Sequence, residues 1–140
     1  MKILLVEDSK FLRLAIERAL FRAGYEVSTA VDGDQALEMA RTHLPDLILL
    51  DMLLPKMTGP DVLRALKKDP TTEEIPVVVC TGLSQKNAER MQADGAFAFL
   101  EKSELGLEHG PDALLAALRE IVKQIPAKRP QPAKAANTRK

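Results

Sequence analysis

Leu47-Ile48-Leu49-Leu50-Asp51-Met52-Leu53-Leu54-Pro55 is an apolar run that ends on a single carboxylate and then meets a proline. Four consecutive aliphatic residues read as a strand buried on both faces, which places Asp51 at the strand's carboxyl end. In open α/β sheets, ligands bind along that edge.

The chain on either side of this strand alternates between two periods. Upstream, Lys2 to Val6 reads as a first short strand, and Phe11, Leu12, Ala15, Ile16, Ala19, Leu20 and Ala23 then switch to helical spacing. Ser9 can cap that helix and Gly24 can end it. Tyr25 to Thr29 alternates apolar and polar residues, as an edge strand does. Asp32-Gly33-Asp34 opens a second helix that turns Ala36, Leu37 and Ala40 inward and stops before Pro45.

Downstream, Gly59-Pro60 starts a third helix bearing Val62, Leu63 and Leu66, with Pro70 beyond its end. Pro76 to Cys80 is a fourth strand that runs into Thr81-Gly82. Ser84 to Asp94 can form a fourth helix, whose only apolar side chains are Ala88, Met91 and Ala93, so it is the most weakly anchored. Ala96 to Leu100 is a fifth strand followed by Glu101-Lys102. Pro111 opens a fifth helix with Leu114, Leu115, Leu118, Ile121 and Val122 on one side. Five strands alternating with five helices predict a parallel sheet covered on both faces through right-handed crossovers. The count matches the flavodoxin-like doubly wound (βα)5 order 2-1-3-4-5.

Composition bounds the function. A chain of 140 residues with 46% hydrophobic and 29% charged residues is ordinary for one α/β domain with a real core. Its net charge of zero is unevenly distributed: Lys128, Arg129, Lys134, Arg139 and Lys140 put +5 after Pro126, leaving −5 on residues 1–125. An acidic body argues against a nucleic-acid-binding domain and leaves only the tail as a candidate for polyanions. Residues 126–140, rich in Pro, Ala and Lys without apolar periodicity, are expected to be disordered and too few to form an effector domain. The amino terminus lacks a signal-peptide pattern and no apolar run approaches a bilayer span, so a cytoplasmic protein without membrane attachment is expected. The one cysteine, Cys80, sits in a β-branched run as a buried small hydrophobe. His43 and His109 lie in polar surroundings and read as surface residues.

If all five strands run the same way, their carboxyl ends share one edge. Glu7-Asp8, Asp51, Thr81 and Lys102 are delivered there. The first and third strands are neighbours where the order reverses, so three carboxylates converge on one crevice and repel. A hard divalent cation relieves the repulsion, and oxygen ligands with room for waters suit Mg²⁺. An aspartate so placed can attack a phosphoryl group to give an acyl phosphate. A hydroxyl at Thr81 and a fixed positive charge at Lys102 would neutralise and position the phosphoryl oxygens. Each residue also has a plain alternative: Glu7 and Asp8 as helix-capping acids, Thr81 as a turn hydroxyl, Lys102 as a solvated charge, Phe99 as core.

Glu7-Asp8, Asp51 with Pro55 and Gly59 after it, Thr81-Gly82 and Lys102, at these spacings and strand ends, resemble the receiver domain of two-component response regulators over residues 1–125. The resemblance implies that Asp51 accepts a phosphoryl group from a phosphohistidine on a sensor histidine kinase or histidine phosphotransfer protein. It implies Mg²⁺ held by Asp8, Asp51 and the backbone carbonyl of Leu53, with Glu7 acting through water. Thr81 and Lys102 would contact the phosphoryl group, and Phe99 matches the aromatic that changes rotamer as the threonine moves. The switching face would comprise the fourth helix, the fifth strand and the fifth helix, read by a protein partner or a second copy of the chain. The resemblance also implies a self-modifying switch rather than a turnover enzyme.

Two departures from the family pattern stand out. The proline that usually follows the lysine in a cis peptide is Ser103 here, and the loop Ser103 to Gly110 is longer than usual. Either the site carries a cis bond before serine, costing about 3 kcal/mol over trans, or the loop follows another path. The positions two after the aspartate and two after the threonine, which flank the path of attacking water in the family, are Leu53 and Leu83; neither can orient a water. Readings from other classes are a hydrolase with an aspartyl-phosphate intermediate, of the haloacid-dehalogenase kind, and a phosphorylation-independent pseudo-receiver. The first resembles Asp-x-Asp after the first strand, whereas here the acids are adjacent and the nucleophile follows the third.

Overall fold

The computed structural model describes residues 1–52, 54, 56–81, 92–101 and 112–125, the residues at 81 and 101 by backbone alone. The expected helix over 84–94, the Ser103 to Gly110 loop, His109 and the 126–140 tail lie outside the described residues, apart from the last residues of that helix. In chain order the elements are β1 (Lys2–Val6), α1 (Lys10–Arg22), β2 (Glu26–Ala30), α2 (Gly33–His43), β3 (Leu47–Asp51), α3 (Gly59–Lys68), β4 (Val77–Thr81), β5 (Ala98–Glu101) and α4 (Asp112–Gln124). The strands form one parallel sheet in the order β2-β1-β3-β4-β5. No described helix is long and apolar enough to cross a membrane.

Strand side chains alternate between two layers because successive Cβ atoms point to opposite faces. Leu4, Val6, Ile48, Leu50, Val77 and Val79 pack with Ala36 and Ala40 of α2 and Val62, Leu63 and Leu66 of α3. Ile3, Leu5, Leu47, Leu49, Val78 and Cys80 pack on the other face with Ile16 and Leu20 of α1 and Leu114, Leu118 and Ile121 of α4. β3 is buried along its whole length, as its aliphatic run predicts. Cys80 is buried, and His43 is exposed.

Three strands are displaced from their expected limits, two of them for a hydrogen-bonding reason. Tyr25 is spent on the end of α1: its N–H reaches back to Leu20 O (3.1 Å) while Gly24, at φ +99°, donates to Phe21 O (3.0 Å). This is a Schellman closure, and β2 therefore begins at Glu26. Pro76 has no N–H for the ladder, so β4 starts at Val77, although the Pro76 carbonyl still accepts from Ile48 N (3.0 Å). β5 begins at Ala98, one residue after the Phe97 N–H meets Val77 O of β4 at 2.8 Å.

The exit from α3 has its own economy. The carbonyl of Leu66 would ordinarily accept from the residue four positions on, which is Pro70 and has no proton to give. The Thr72 hydroxyl donates to it instead at 2.7 Å, and Thr72 is only 1% exposed. Thr72→Val keeps the shape and removes this donor, leaving a buried carbonyl short of a partner; it should lower unfolding free energy by about 1–3 kcal/mol with little change in the urea m-value. A change below experimental error would show that water takes over the bond. Nearby, Lys67 spans the α3–β4 connection by donating to the carbonyls of Glu73 (3.0 Å) and Ile75 (2.8 Å), and burial lowers its ammonium pKa. Arg41 of α2 pairs with Asp69 at the end of α3 (2.7 Å); with the Thr71 N–H and hydroxyl it holds the Asp69 carboxyl down at about 2.

Candidate functional site

The site is assembled at the carboxyl edge where β1 and β3 lie side by side. β1 ends at Val6, but the Glu7 N–H makes one more rung to Ala30 O (3.0 Å), which carries the Glu7 carboxylate into the crevice. Glu7 is 3% exposed and its Oε2 accepts the Ser9 N–H at 3.2 Å. Ser9 caps α1 by accepting from Leu12 N (3.4 Å), so the acidic pair occupies the turn between strand and helix. Asp8 is exposed. Asp51, the last residue of β3, is 6% exposed and stands opposite Cys80 in the ladder.

Carboxylate oxygens from Glu7, Asp8 and Asp51 come within 4.8 Å of one another. The donor set is all oxygen, two members are buried and one faces solvent. That combination suits a hard divalent cation that keeps several waters, as Mg²⁺ does, and gives no support to a soft thiolate- or imidazole-preferring metal. Glu7 and Asp51 also line a cavity of about 10 Å³ with Leu5, Ile16, Leu49, Cys80 and Leu114. This is room for about one water.

The turn from β3 into α3 is held tightly against the site. Gly59 donates to Met52 O at 3.0 Å, and Thr58 caps α3 by accepting from Asp61 N (3.3 Å). Lys56 takes φ +70°, the left-handed region that costs a side-chain-bearing residue roughly 1–2 kcal/mol. Its ammonium lies 3.5 Å from Asp32, the cap of α2. The Asp32 carboxyl is held below its ordinary pKa, first by the Gln35 N–H and then by Lys56. Lys56→Gly removes the backbone penalty and only a solvent-screened ion pair, against a larger unfolded-state entropy. A net gain of about 0.5–1 kcal/mol in chemical denaturation is expected; a loss would mean that the Lys56 side chain holds the turn.

Of the residues singled out by sequence, Glu7, Asp8 and Asp51 are brought together. Thr81 ends β4 one step beyond the Asp51–Cys80 pair. Phe99 lies in β5 opposite Val79, partly buried against the α2/α3 layer. Leu53, Leu83 and Lys102 lie outside the described residues. Sequence reasoning passed over Arg13, whose Nη1 donates to the carbonyls of Glu7 (3.2 Å) and Asp8 (3.4 Å). Its only signal was a basic residue one turn into a helix that follows an acidic pair.

A sequence profile of the response regulator receiver domain matches residues 3–119. The chain belongs to the response regulator receiver domain family. Receivers of this family act as signalling switches in two-component systems. The chain is 48% identical over 103 residues to Response regulator PleD of Caulobacter vibrioides, covering 72% of this chain and 22% of PleD. It is 38% identical over 102 residues to Polar-differentiation response regulator DivK of Brucella anthropi, covering 71% of this chain and 82% of DivK. The solved structure of Chemotaxis response regulator CheY4 of Vibrio cholerae superposes with a TM-score of 0.77 at 32% identity, over 86% of this chain and 97% of that one. The receiver thus spans about a fifth of PleD and most of DivK.

Proposed function

We propose that this receiver is the phosphoacceptor of a two-component phosphorelay and that Asp51 carries the phosphoryl group. The observation that supports it is the meeting of Glu7, Asp8 and Asp51 at the switch point of the sheet. One carboxylate oxygen of Asp51 attacks phosphorus in line, the bond from phosphorus to the donor's imidazole nitrogen breaks, and an acyl phosphate forms on Asp51. Asp8, Asp51 and the Leu53 carbonyl would hold Mg²⁺ directly and Glu7 through water; the ion would supply charge neutralisation at the phosphoryl oxygens. Thr81 and Lys102 would take the remaining oxygens. The donor would be a sensor histidine kinase or a histidine phosphotransfer protein.

On this reading residues 1–125 form the receiver and 126–140 a basic extension of it. Movement of Thr81 toward the phosphoryl group lets Phe99 turn inward. That shifts a surface made of the 84–94 helix, β5 and α4, which a downstream protein or a second copy reads. Incubation with Mg²⁺ and acetyl phosphate, followed by intact mass, tests the core of it. One phosphoryl group per chain is expected; continuous turnover of phosphate esters would point to a hydrolase instead.

Leu53 and Leu83 set a further expectation. With no polar side chain at either position to align a water, acyl-phosphate decay should be slow. Leu53→Asn or Leu83→Glu should accelerate it about tenfold, a change of about 1.4 kcal/mol in barrier. Decay no faster than in the parent would mean that hydrolysis is limited elsewhere.

A further inference from the structure

Arg13 is a basic side chain that hydrogen-bonds to the acidic pair, and it reaches the backbone of both members. Its Nη1 donates to the carbonyl of Glu7 at 3.2 Å and to that of Asp8 at 3.4 Å. The two peptides it grips are those that lead out of Glu7 and out of Asp8. They flank the Asp8 Cα, so holding both fixes the direction in which the Asp8 side chain leaves the backbone. The Glu7 side is already fixed twice over, by the rung to Ala30 O and by the Ser9 N–H on Oε2. Asp8 is exposed and has no such support in the ladder, so its aim depends on the turn around it.

Two opposite consequences follow from a guanidinium in this place. As a charge, it competes with a cation for three carboxylates, and its removal would tighten cation binding. As a clamp, it pre-organises the turn, and its removal would weaken binding. The bonds end on carbonyl oxygens, with Arg13 itself half-buried in the turn, and the charge is partly solvent-screened. The geometry therefore favours the clamp.

We infer that Arg13 is a positioning residue for the cation site: it fixes the Glu7–Asp8 turn through its two carbonyls so that Asp8 meets Asp51 in ligating geometry. This rests on the phosphoacceptor reading only in taking Mg²⁺ as the ion. Isothermal titration of Mg²⁺ into the full chain reads it directly. Arg13→Ala should weaken Mg²⁺ binding about tenfold, while melting without Mg²⁺ stays close to the parent. Arg13→Lys, which keeps a donor and the charge, should recover most of the loss. In labelling by acetyl phosphate, the Mg²⁺ concentration for half-maximal rate should rise by about the same tenfold factor, with the rate at saturating Mg²⁺ little changed. A general structural role would instead lower both. Unchanged or tighter Mg²⁺ binding by Arg13→Ala overturns the inference and leaves the phosphoacceptor reading standing. If Arg13→Ala melts early, Arg13→Met decides, because it keeps the aliphatic stem but has neither charge nor donor: weaker binding supports the clamp and tighter binding the charge. A parent chain that binds no Mg²⁺ sinks both.

Discussion

Asp51→Ala should abolish phosphoryl labelling completely, and with it most of the stabilisation that Mg²⁺ confers. The first effect is absolute because the acyl phosphate needs a carboxylate oxygen as nucleophile. Neither neighbour occupies the strand-end position of Asp51: Asp8 sits on the turn before α1 and Glu7 is held by the Ser9 N–H. The second is graded. A ligand that binds only the folded state contributes about 2.7 kcal/mol at a hundred times its Kd, so the parent should melt several degrees higher in saturating Mg²⁺. Asp51→Ala leaves only Glu7 and Asp8 from the cluster, and that rise should shrink or vanish. Intact mass after incubation with acetyl phosphate, and paired melts with and without Mg²⁺, check both. A phosphoryl group on the Asp51→Ala chain would place the nucleophile elsewhere.

Gly59→Ala is expected to damage the fold and the site together. A Cβ built on Gly59 would lie 2.5 Å from Met52 Cα and 2.9 Å from the Asp51 carbonyl oxygen. Both are backbone atoms of the strand end that carries Asp51, so no side-chain rotation relieves the clash. Either α3 backs away from the sheet, opening the layer that buries Val62, Leu63 and Leu66, or the Asp51–Met52 peptide moves. We expect a loss of about 3 kcal/mol, the upper end of the overpacking range, seen as a fall in melting temperature of roughly 10 °C. Slower labelling at saturating Mg²⁺ should accompany it, because an in-line attack tolerates little displacement of the nucleophile. A melting temperature within error of the parent would mean that the β3–α3 turn yields without cost.

How much of this was legible in the sequence depends on the range of the interaction. Asp51 could be placed at a strand end because an aliphatic run and a proline are local signals, and β3 spans the expected residues. The convergence of the acidic pair with Asp51 followed from parallel topology, since strands that all run one way deliver their ends to one edge. The limits of β2, β4 and β5 were each missed by one or two residues. Tyr25 commits its N–H to the end of α1 and Pro76 has none to give, and an apolar periodicity displays neither. Leu44 shows the same limit: it closes α2 in the left-handed region at φ +44°, a place that sequence rules reserve for glycine.

The sequence by itself determined the two apolar layers, the succession of strands and helices, and the choice of carboxylates over sulfur or imidazole at the crevice. These depend on side-chain type and on spacing along one chain, where period two and period 3.6 are set by backbone geometry. Only the tertiary structure decided that Arg13 grips the carbonyls of Glu7 and Asp8, and that the Thr72 hydroxyl stands in for the missing proton of Pro70. It also decided that Gly59 touches the backbone of Asp51 and Met52, and that Lys56 bends left-handed. The first three are contacts with backbone atoms and the fourth is a backbone angle, so none of them is fixed by residue type alone. A main-chain oxygen looks the same at every position in a sequence; which donor reaches it is settled only when distant segments have packed.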